Sequence, residues 1–87
     1  MSAPTTEPVE TLIRHGWDLY ERDPECDHAE QLRIALWRLE EAVDYGHDDV
    51  QRFARRVVQA LTIATGDEVD EVLAPMPAVA VWLELDV

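Results

Sequence analysis

Ala29, Leu32, Leu36, Leu39 and Val43 recur at alternating spacings of three and four, which places them on one stripe of a helix. Asp27 followed three residues later by Glu30 has the form of a capping box, in which two side chains satisfy orphan N–H groups at a helix start. Gly46 ends the run, because a residue without Cβ enters the left-handed region cheaply at C′. A second helix is predicted directly afterwards. Asp48 and Gln51 repeat the box, and Val50, Phe53, Ala54, Val57, Val58 and Leu61 form a wide apolar face that ends at Thr65-Gly66. So short a connection predicts an antiparallel hairpin.

Upstream, Val9, Leu12, Ile13, Gly16, Leu19 and Tyr20 share a face with Trp17 on its border. Glu10, Arg14, Asp18 and Arg22 follow one another at i, i+4 on the opposite side, where they can form an ion-pair ladder. Pro24 disfavours helical geometry at Asp23, so this helix stops there. In the first hairpin helix Ile34, Trp37 and Tyr45 add a second, weaker apolar stripe, which predicts a central position with more than one covered face.

After Gly66, Asp67 can cap a short fourth helix from Glu68 to Leu73 or Ala74, with Pro75 and Pro77 as breakers. From Ala78 onward the pattern alternates. Val79, Val81, Leu83, Leu85 and Val87 fall on one side of an extended chain, with Ala78, Ala80, Trp82, Glu84 and Asp86 on the other. A strand needs partners, since buried N–H and C=O groups cost about 1–3 kcal/mol each when unpaired. The rest of the chain offers no second strand. The segment is therefore expected to pair with its copy in a second subunit, to add to another protein's sheet, or to lie on the helices with solvated edges.

Composition sharpens this picture. Nineteen Asp and Glu stand against seven Arg and no Lys, a formal net charge of -12. Such a surface repels phosphates, so direct nucleic-acid binding is not expected. It suits salt adaptation or coding bias, imitation of a phosphate backbone, or attraction to a basic protein. The hydrophobic fraction of 47% argues for a folded domain despite the charge. With no apolar run near the ~20 residues of a bilayer crossing and no signal-peptide pattern, a cytoplasmic location without membrane contact is expected. The lone Cys26 has no partner for an internal disulfide and fits a reducing compartment.

Chemistry-bearing patterns are weak. His15, His28 and His47 lie near acidic residues, as in Cys26-Asp27-His28 and His47-Asp48-Asp49, but without metal-ligand spacing. Glu40 and Glu41, or Glu68, Asp70 and Glu71, read as solvated helix faces, and catalysis would need one of them buried. Phosphate loops, serine elbows and Cys-His nucleophile patterns do not occur. Arg52, Arg55 and Arg56 form one basic patch, but the preceding Asp48-Asp49 would point carboxylates at a phosphate backbone.

These readings add up to a mainly α protein. Residues 1–6 are expected to form a disordered N-terminus and residues 7–76 a helical domain, a three-helix up-down-up bundle with a short fourth helix. Residues 77–87 are expected to form a C-terminal strand or tail used for association. The expected function is non-catalytic: an acidic interaction or regulatory module, homodimeric, binding a protein partner, with the charge favouring a basic one, and with no catalytic residue, cofactor or metal. The expected partner-binding residues are Val79, Val81, Trp82, Leu83 and Leu85 on the strand, with Trp37 on the helices. A nucleic-acid-mimicking inhibitor and an accessory subunit of a larger enzyme are the alternatives.

Overall fold

The computed structural model of the chain describes residues 6–46 and 49–83. Five helices follow in order: α1 (Thr6–Arg22), α2 (Ala29–Asp44), α3 (Val50–Thr65), α4 (Val69–Leu73) and α5 (Pro77–Trp82). The predicted stripe of α2 points inward: Ala29, Leu32, Leu36 and Leu39 are buried and Val43 is half-buried. On α3, Ala54, Val57, Val58 and Leu61 are buried, joined by Ala60. The start of α2 (Gln31, Ile34, Ala35) lies against the end of α3 (Gln59, Ala60, Ile63), and Ala42 and Tyr45 lie against Phe53. The hairpin is thus antiparallel, as its short connection requires.

Gly46 takes φ +66°, the left-handed conformation that stops α2, and Gly66 takes φ +78° at the end of α3. The start signals behave differently. His28 and Asp49 occupy the N-cap positions of α2 and α3 without a side-chain cap bond, so Asp27 does not cap α2; Asp48 lies outside the described residues. At α4 the N-cap is Glu68 rather than Asp67, and its N–H donates to Glu71 Oε1 at 3.1 Å.

Helix α1 buries Val9 and Leu12 and packs against α2, α3 and α5. Gly16 permits its close approach to α2, since a Cβ there would come within 2.5 Å of Leu36 Cδ2. Beside this contact Trp17 Nε1 donates to Glu40 Oε2, and the Trp17 ring meets Tyr20 edge-on at 5.6 Å. The expected ladder on α1 does not close: the ion pairs among the described residues are Arg33–Glu30 at 2.9 Å and Arg52–Asp49 at 4.0 Å. The radius of gyration is 12.3 Å, near the ~12 Å of a folded chain this long. No helix among the described residues is long and apolar enough to cross a membrane.

The main correction concerns the C-terminal segment. Residues 77–82 form helix α5, and no strand occurs among the described residues; residues 84–87 lie outside them. Pro77, read as a breaker, stands at the first helical position, where its fixed φ favours a helix start and its missing N–H costs nothing. The helical spacing of Met76, Val79, Ala80 and Leu83 then buries all four against the bundle. Backbone bonding closes locally, from Val79 N–H to Met76 O at 3.0 Å and from Leu83 N–H to Val79 O at 2.9 Å. The terminal carbonyls are also used: Gln51 Nε2 donates to Trp82 O at 2.7 Å and Arg55 Nη2 to Leu83 O at 2.5 Å. Residues 77–83 therefore need no second polypeptide to satisfy their backbone.

Candidate protein-binding face of the helical hairpin

One side of α2 and α3 packs inward and the opposite side is open. Along that open side runs a furrow of about 580 Å³ with Ile34, Ala35, Ala60 and Ile63 as its apolar lining. His28 and the amides of Gln31 and Gln59 also line it, and Arg38 and Arg56 project into it from the two helices. Arg38 belongs as well to a shallower depression lined by Glu41, Ala42, Tyr45 and Phe53, so the furrow continues towards the α2–α3 turn. At ~1.5 Å per residue, the helical stretch it follows is roughly 25 Å long.

The apolar groups here are solvent-accessible. Ile63 is 52% exposed, and Trp37, on the surface of α2 one turn from Ile34, is 56% exposed. Tyr45, in the shallower depression, is 76% exposed. Inside the fold, by contrast, no polar or charged residue is buried among the described residues.

The other expected binding residues scatter. Val79 and Leu83 are fully buried in the core, Trp82 is half-buried, and Val81 is exposed on the far side of α5. Leu85 lies outside the described residues. None of that set lines the furrow. Ile63 and Arg38 escape the sequence reading and Arg56 enters it only within a basic patch, although Ile63 breaking the polar stripe Arg52, Arg56, Gln59 is a visible signal.

The polar candidates have structural surroundings. Cys26 Sγ accepts from the His28 N–H at 3.5 Å in the α1–α2 connection, and His15 is half-buried on α1. His47 lies outside the described residues, among which no group of three or more His, Cys, Asp or Glu could hold a metal ion. Glu40 receives the Trp17 indole N–H and Glu71 holds the start of α4. No family model, curated protein or solved structure matches this chain. Its function must be argued from this surface.

Proposed function

We propose that this chain is a non-catalytic protein-binding module whose contact surface is the outer face of the α2–α3 hairpin. The observation that carries the reading is the open furrow lined by Ile34, Ala35, Ala60 and Ile63, with Arg38 and Arg56 beside them. Accessible aliphatic side chains in a groove with arginines among them are the composition of an interface centre, where a few such groups supply most of the binding energy. Its shape suits the mode in which an amphipathic helix lays its apolar face between two others. The C-terminal segment is not the association device in this reading, because Val79 and Leu83 already serve the core.

The test is site-directed photocrosslinking in the source cells. A benzophenone side chain at Ile63 is expected to give a discrete adduct, whereas the same probe at Glu21, on the surface of α1, gives none. Equal labelling from both positions, or none from Ile63, overturns the proposal.

A further inference from the structure

Charge is distributed unevenly over the helices in a way that selects an occupant for this face. The chain carries -12 overall, yet α3 holds Arg52, Arg55 and Arg56 and no acidic residue. Three of the arginines in α2 and α3 have partners: Arg33 pairs with Glu30, Arg52 lies 4.0 Å from Asp49, and Arg55 donates to Leu83 O. Among the described residues neither Arg38 nor Arg56 has a carboxylate within 4.0 Å, and both line the furrow, Arg38 where it meets the shallower depression.

An acidic protein thus presents two guanidinium groups in an open furrow, with Ile34 and Ile63 on one side and a shallower depression holding Glu41, Tyr45 and Phe53 beyond Arg38. We infer that the furrow receives an amphipathic helix of a partner protein bearing carboxylates at the centre of its apolar face, one or two of which meet Arg38 and Arg56. The inference rests on the hairpin face being the docking surface. It reverses the sign expected from net charge. At physiological ionic strength the screening length is ~8 Å, so the charges that decide contact are those at the furrow, where Arg38 and Arg56 outnumber Glu41, and not the acids elsewhere. Guanidinium also suits this place, because its planar fork binds carboxylates in two-point geometry and is weakly hydrated beside apolar groups. The surrounding acids then disfavour registers that shift the partner's carboxylates away from the two arginines.

The test is an NMR titration of the full chain at physiological salt with two helical probe peptides of about sixteen residues, matching the furrow at ~1.5 Å per residue. Both carry leucines at every third or fourth position; one has glutamates beside the central leucines and the other has glutamines there. The glutamate peptide is expected to bind about tenfold more tightly, as two exposed charge pairs allow. It is also expected to shift the backbone amide signals of Ile34, Ala35, Ala60 and Ile63. In the R38Q/R56Q variant that advantage falls to within about twofold. Equal affinity of the two peptides at this face overturns the carboxylate inference and leaves the docking surface standing. Failure of both to perturb the face overturns both readings. Concentration-dependent shifts of the same amides without peptide make the occupant a second copy, and the inference fails.

Discussion

Replacing Val79 and Val81 separately by alanine tests the reassignment of the C-terminal segment at single-residue resolution. In an extended chain these two positions point the same way and lose equal packing. In α5 they are two residues apart on a helix, about 200° around it. Val79 is fully buried, while Val81 is 78% exposed. Val79→Ala removes two methyl groups from the core, about 1.6 kcal/mol at ~0.8 kcal/mol per buried carbon, and leaves a small cavity that adds to the loss. Alanine's better helix propensity returns roughly 0.5 kcal/mol. The net cost is about 2 kcal/mol. For Val81→Ala the buried area lost is small and the propensity gain remains, so stability stays within ~0.5 kcal/mol and moves towards the stable side.

In a domain of this size 1 kcal/mol corresponds to about 4–8 °C. Thermal unfolding followed by circular dichroism at 222 nm is therefore expected to show Tm lower by roughly 10 °C for Val79→Ala and nearly unchanged for Val81→Ala. Similar losses at the two sites, or a larger loss at Val81, would refute the helical packing of this segment and return it to an extended form.

Three further substitutions probe the contacts that assemble the bundle. Arg55→Met removes the guanidinium that donates to the Leu83 carbonyl; a loss of about 1 kcal/mol is expected, with faster amide hydrogen exchange in α5 than in α2 as the local signature. Trp17→Phe deletes the indole N–H donor to Glu40 and is expected to cost ~1 kcal/mol. The loss with Glu40→Gln added is expected to be smaller than the sum of the two single losses in a denaturant-based double-mutant cycle. Gly16→Ala inserts a methyl against Leu36, costing roughly 1–3 kcal/mol of overpacking against ~1 kcal/mol of helix propensity gained. It is expected to destabilise less when Leu36 is shortened to valine, measured by the same unfolding assay.

The hairpin was legible because both of its helices are long enough for a period near 3.6 to declare itself. Leu32, Leu36 and Leu39 cannot share a face in any other regular conformation. The C-terminal segment was misread for the complementary reason. Over a stretch as short as Met76 to Leu83, a helical stripe of Met76, Val79, Ala80 and Leu83 coexists with strict alternation of Val79, Val81 and Leu83. Periodicity alone does not choose between them. Pro77 does, since a proline just inside a helix start is a favourable signal while one within a helix is a breaker. The proposed binding face is only half visible in the sequence. Ile34, Trp37 and Tyr45 announced a second stripe on α2, but the matching side of α3 is formed by alanine, arginine and glutamine around a single isoleucine.

That side of α3 shows why a basic patch defined along a chain need not be one in space. Arg55 and Arg56 are neighbours in sequence and about 100° apart around the helix. Arg55 faces α5 and holds its last carbonyl, whereas Arg56 faces the furrow with Arg38. One helix therefore divides its circumference among three tasks. Ala54, Val57, Val58 and Leu61 join the core, Gln51 and Arg55 fasten the C-terminal helix, and Arg56, Gln59 and Ile63 are left on the open face. The first two groups hold α3 in place from the inside. They make a groove of fixed width on the outside, so on the proposed reading an incoming helix meets arginines on a scaffold that is already ordered. Binding on this face then requires side-chain ordering and little backbone rearrangement, the condition under which a small furrow and two charge contacts can suffice for a specific complex.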